Sequence, residues 1–108
     1  MASHFAIPPP DEDGVVRIHK EMGITRSEFL RLLKTAVDPA SFNQSGDDVD
    51  VIGAPGKVRI RLSGDRERRI ALIRLPVLDV DLELSGFSGE ALRAFMTRFD
   101  RAYQRGGG

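Results

Sequence analysis

The sequence predicts an α+β domain, a two-layer sandwich of order αββββα in which both helices cover one face of an antiparallel meander sheet. Three observations carry this. Val58, Ile60 and Leu62 alternate with Lys57, Arg59 and Arg61, and Leu78, Val80, Leu82 and Leu84 alternate with Asp79, Asp81 and Glu83. Such alternation places one face of a sheet in a core and the other in water. Amphipathic helical segments flank the strand region on both sides, and two helices with apolar stripes must bury them against that one sheet face.

Residues 1–13 read as an arm, because Pro8-Pro9-Pro10 and then Asp11-Glu12-Asp13 suit an extended, solvated chain. One domain spans residues 14–105, and 106–108 form a glycine tail. Val15 to Lys20 alternates poorly and stands as a short possible strand. The first helix is better marked. Thr25-Arg26-Ser27-Glu28 has the form of a capping box, with Thr25 as N-cap, and Ile24 with Phe29 forms a hydrophobic staple. Phe29, Leu30, Leu32, Leu33, Ala36 and Val37 then give a wide apolar stripe over 26–37, which Pro39 ends.

Residues 39–47 read as a polar connection with Phe42 as its one large apolar residue. Four strands are expected between Val49 and Leu84. A turn at Ala54-Pro55-Gly56-Lys57 pairs Val51 with Ile60 and Val49 with Leu62 inside, and Asp50 with Arg61 outside. A second turn lies near Gly64-Asp65-Arg66-Glu67. A third is placed at Pro76-Val77, which pairs Leu75 with Leu78 and Ile73 with Val80, and sets Arg74 against Asp79. That bend lacks Gly or Asn, so one long kinked strand from Arg69 to Leu84 is the competing reading. The last helix starts at Ser88 as N-cap, with Phe87 and Leu92 as staple. Leu92, Phe95, Met96, Phe99, Ala102 and Tyr103 keep helical spacing to the stop at Gly106.

Length and composition bound the function. A chain of 108 residues supports one modest core, and 41% apolar with 30% charged residues is a globular balance. Sixteen acidic residues offset sixteen Lys and Arg, which argues against nucleic acid as the main partner, since phosphate neutralisation normally needs a basic excess. The absence of cysteine excludes disulfides, thiolate catalysis and Cys-ligated metal. No segment has the length and apolarity of a membrane span, so no membrane partner is expected and the chain is assigned to the cytoplasm.

Few residues suggest chemistry. Asp79, Asp81 and Glu83 form a carboxylate row with steps of about 7 Å, which reads as a solvated face complementing its neighbours. Lys57, Arg59 and Arg61, with Arg66, Arg68 and Arg69, are the basic concentration, yet Asp50 and Asp65 lie close and no aromatic platform interleaves them. His4 and His19 are far apart in sequence. Ser88 lacks the order of a nucleophile elbow and reads as a cap. Ile70-Ala71-Leu72-Ile73 is apolar on both strand faces, which puts aliphatic residues, Ile52 beside them, on a surface otherwise charged.

The expected function is therefore a small non-catalytic protein-interaction module without a cofactor. Its open sheet face would present Ile70, Leu72, Arg59, Arg61, Arg74 and Asp81 to a second copy or to a protein partner. The arm carrying Phe5 and Ile7 is the other candidate cover for that face. Two alternatives belong to other classes. One is anion or nucleic-acid binding through Lys57, Arg59 and Arg61; the other is a carrier protein that uses its Gly-Gly terminus.

Overall fold

The computed structural model of the protein describes residues 7–105. Its elements are β1 (Val16–Met22), α1 (Arg26–Val37), β2 (Ser41–Ser45), β3 (Asp48–Ile52), β4 (Lys57–Leu62), β5 (Arg66–Ile70), β6 (Ile73–Ser85) and α2 (Gly89–Arg105). The expected class is found. An antiparallel sheet of order β1-β6-β4-β3-β2, with β5 on the outer part of β6, is covered on one face by the two helices. No helix among the described residues is long and apolar enough to cross a membrane.

Both helices begin where their caps predict. The Thr25 hydroxyl accepts from the Glu28 amide at 3.2 Å, and the Ser88 hydroxyl accepts from the Ala91 amide at 3.1 Å. The reciprocal half of the capping box is absent, because the Glu28 carboxylate pairs with Arg31 one turn on. Phe29 and Leu33 from α1 meet Phe99 and Tyr103 from α2 in the centre of the core. The strands contribute their even-numbered residues in β1, β4 and β6 and their odd-numbered ones in β3.

Six strands stand where four were expected. β2, read as a polar connection, is an edge strand: Phe42 lies opposite Val51, and Gly46-Asp47 closes a two-residue hairpin with φ +61° at Gly46. Its side chains are mostly polar, so the backbone ladder makes the strand and periodicity does not report it. β1 forms the other edge, pairing with β6 from Val16↔Leu84 to Met22↔Leu78. Its alternation looked poor because Lys20 takes a core-side position, where it reaches Asp100 on α2 at 3.1 Å. Nearer the N-terminus, Ile7 packs against the core, and Asp11 and Asp13 pair with Arg17.

Two registers differ from expectation. The β3–β4 hairpin pairs Val49 with Ile60, Val51 with Val58, and Asp50 with Arg59. This is a shift of two residues, which keeps every side chain on its predicted face. The larger correction concerns the last hairpin. Its turn is Ala71-Leu72 and not Pro76-Val77, so β5 pairs with the start of β6 from Arg66↔Val77 to Ile70↔Ile73. Arg74 therefore faces Arg69 and not Asp79, and Leu75 faces Arg68. β6 is one strand of 13 residues, about 40 Å at ~3.3 Å per residue.

A bulge explains how β4 and β5 share β6. Leu62 opposes Val80 and Arg66 opposes Val77, so three residues on one strand answer two on the other. The additional residue reverses parity, because otherwise Arg66 would follow Ile60 and Leu62 to the helix-facing side. β4 and β5 thus act as one bulged strand, and the meander runs β2, β3, β4 with β5, then β6. Ser63 anchors the bulge: its hydroxyl accepts from the Asp79 amide at 3.0 Å.

Candidate functional site

The open face of the sheet, opposite the helices, is a lattice of alternating charge. Across the strands one row runs Arg17, Glu83, Arg59, Asp50, and the next runs His19, Asp81, Arg61, Asp48. Basic side chain alternates with carboxylate at each step. Arg59 Nε donates to Asp50 Oδ1 at 2.9 Å, and Arg61 Nε donates to Asp48 Oδ1 at 2.9 Å. Each guanidinium also offers Nη2 to the second carboxylate oxygen, at 3.4 and 3.3 Å. The Arg61 guanidinium holds the Asp48 carboxyl below its usual range, and Asp48 and Asp50 raise the guanidinium pKa values in return. His19 Nδ1 lies 2.7 Å from Asp81 Oδ1.

Arg59, Arg61 and Asp81 do share this face, around a shallow basin of about 430 Å³ lined also by Arg17, His19 and Glu83. The basin's arginines already have carboxylate partners. A phosphate or nucleic-acid backbone binding through Lys57, Arg59 and Arg61 would meet the carboxylates of Asp50 and Asp48 beside two of its three cations. Solvent-exposed pairs of this kind contribute little to stability. They neutralise the face.

Ile70, Leu72 and Arg74 lie elsewhere. They belong to the β5–β6 hairpin, which leaves the sheet beyond Val77 because β1 ends opposite Leu78 and β4 ends opposite Val80. Four rungs project beyond Val77, roughly 13 Å of ribbon. Ile52, expected beside Ile70, sits at the other end of the sheet, past the Val51↔Val58 rung. Ile7 packs on the core and does not cover Ile70 or Leu72, which are 53% and 100% exposed. Phe5 and the glycine tail lie outside the described residues.

The ribbon has two unlike faces. Residues directly opposite in an antiparallel ladder share a face. Ile70 and Ile73 share one with Leu75 and with Val77, which is buried where the hairpin joins the body. Arg66 and Arg68 are on this face too, and they fold back onto the body: Arg66 Nη2 reaches Asp79 Oδ2 at 2.7 Å, and Arg68 Nη2 reaches Glu21 Oε1 at 2.9 Å. The other face carries Glu67, Pro76, Arg69 and Arg74. Arg69 and Arg74 are directly opposed and have no carboxylate partner among the described residues.

Three unfavourable features meet within this tip. Like charges directly opposite one another destabilise a ladder. Ala71 holds a backbone φ of +55°, a region that costs an L-residue energy. Leu72, Ile70, Ile73 and Leu75 are all exposed aliphatics. Locally costly features persist only where the surrounding structure holds them in place, and here the ladder with β6 does so. Sequence analysis singled out Ile70, Leu72 and Arg74, named Ile73 in the same apolar run and Arg69 in the basic concentration without joining them to a tip, and placed Leu75 inside. The mirrored runs 66–70 and 73–77 were the available signal, and Pro76 drew the turn away from them. Comparison of the chain with protein-family models, with curated proteins and with solved structures finds no match.

Proposed function

We propose that this protein is a non-catalytic docking module whose contact element is the tip of the β5–β6 hairpin. The supporting observation is Leu72, fully exposed at the apex of a ribbon that extends past the end of the sheet, away from the charge-neutralised open face. An isolated exposed leucine is ordinary on a protein surface. Leu72 is accompanied by Ile70, Ile73 and Leu75, and the turn beneath it is strained at Ala71. The open sheet face is the weaker candidate, because its arginines are already answered by carboxylates across neighbouring strands.

The chain has no cysteine, so Leu72→Cys gives a single labelling site. An environment-sensitive dye at that position is titrated with unlabelled protein, with a cleared lysate and with the pelleted membrane fraction. Docking produces a saturable blue shift in at least one of the three, competed by unlabelled wild type and not by Leu72→Asp. No shift in any of them refutes the reading.

A further inference from the structure

Resting on that reading, we infer that the surface the hairpin docks onto is an anionic lipid bilayer. The order of side chains along the ribbon carries the inference. From the apex inward, the layers are Leu72, then the Ile70–Ile73 rung, then the Arg69–Arg74 rung, with successive rungs about 3.3 Å apart. The one carboxylate of the hairpin, Glu67, sits two rungs further back, opposite Pro76. A bilayer presents the same sequence in reverse. Apolar side chains enter the acyl boundary, and cations set a few ångströms behind them meet headgroup phosphates.

The two arginines suit phosphate in a further respect. They oppose each other without an acid between them, so an anion that bridges both relieves their repulsion. Arg66 and Arg68, nearer the body, are already taken up by Asp79 and Glu21 and leave the charge confined to the tip. Among the described residues nothing pairs with either edge of the ribbon beyond Val77, and unpaired backbone groups are costly in hydrocarbon. The insertion is accordingly shallow. The expectation of no membrane partner rested on the lack of a spanning segment, and a hairpin tip requires none. A nucleic-acid groove is the poorer fit, because it wants several phosphate contacts and offers no apolar layer for Leu72, Ile70 and Ile73.

Flotation with vesicles tests this. Wild-type protein is mixed with vesicles of phosphatidylcholine alone and with vesicles containing about one-third phosphatidylserine, at low and high salt. The expected result is binding to the anionic vesicles only, weakened by salt. Arg74→Glu and Leu72→Ser should each reduce the bound fraction about tenfold or more with unchanged circular dichroism, because one removes headgroup attraction and the other acyl contact. Arg101→Glu makes the same charge change on the exposed side of α2 and should float like wild type. Equal losses in Arg74→Glu and Arg101→Glu overturn the inference, as does absence of binding to anionic vesicles. If vesicles fail while the dye on the Leu72→Cys variant still responds to unlabelled protein or to cleared lysate, docking stands and the lipid surface falls. If a DNA duplex binds in an Arg74-dependent way and vesicles do not, the lipid surface falls likewise. Failure of dye and vesicles together removes both.

Discussion

The phenol of Tyr103, in the last turns of α2, donates a hydrogen bond of 2.9 Å to the main-chain carbonyl of Phe29 at the start of α1, and the two rings stack with centroids 4.8 Å apart. One residue thus closes the helix layer by packing and by polar contact. Tyr103→Phe keeps the ring and removes the bond, and the expected loss is about 1 kcal/mol in urea unfolding. Burial also pushes the Tyr103 phenol pKa well above its ordinary 10.0. The sign follows: above about pH 10 the unfolded chain releases this proton and the folded chain keeps it, so this group's contribution to stability is constant below that pH and declines above it. Tyr103 is the one tyrosine and there is no tryptophan, so tyrosinate absorbance reads it alone. Absorbance should stay flat while circular dichroism is native and rise with unfolding; a native-state titration near pH 10 would show the phenol to be in water.

Leu33 and Phe99 are both fully buried at the contact of the two helices with the sheet. Leu33→Ala and Phe99→Ala should each cost about 2–5 kcal/mol, as truncations in close-packed cores do. Chemical denaturation measures it. A shift below about 0.5 kcal/mol would place these side chains outside the core.

Gly56 lies in the turn between β3 and β4 where that turn crosses the end of β6. A Cβ there would stand 2.3 Å from Phe87 Cδ1 and 2.5 Å from the Ser85 carbonyl oxygen. The second contact is backbone, which has no rotamer to move. Gly56→Ala should destabilise by about 1–3 kcal/mol through overpacking. An unchanged denaturant midpoint would mean that the turn and β6 do not approach so closely.

Two hairpins share one turn geometry with different residues. Gly46 opens the β2–β3 turn at φ +61°, and Ala71 opens the β5–β6 turn at φ +55°. A positive φ at the first turn position alone is the pattern of a type II′ turn, which favours glycine there. Ala71→Gly should therefore stabilise the protein by about 1 kcal/mol, against the usual penalty of a new glycine. Thermal and denaturant unfolding both report it. A loss of stability would indicate that the Ala71 backbone carries no strain.

Much of this molecule was settled by its sequence. Thr25 and Ser88 start the helices, Phe29, Leu33 and Phe99 mark their buried stripes, and the parity of β3, β4 and the inner part of β6 places every side chain on its observed face. These features are local: a cap, a helical stripe and a period of two each depend on a few neighbouring residues. Tertiary pairing decided the remainder. β2 exists because its backbone completes the edge of β3, not because Ser41–Ser45 alternates. The bulge at 63–65 and the turn at Ala71-Leu72 are set by the ladder with β6, which holds Ala71 at a φ its own side chain disfavours and keeps Pro76 inside a strand. Pro76 is tolerated there because β1 has already ended opposite Leu78. Periodicity reports which side of a strand the core buries. Where the chain runs beyond the core, both sides meet water and no period remains to locate the turn, so the projecting tip, and the union of Leu72 with Arg69 and Arg74, emerged only from the paired fold.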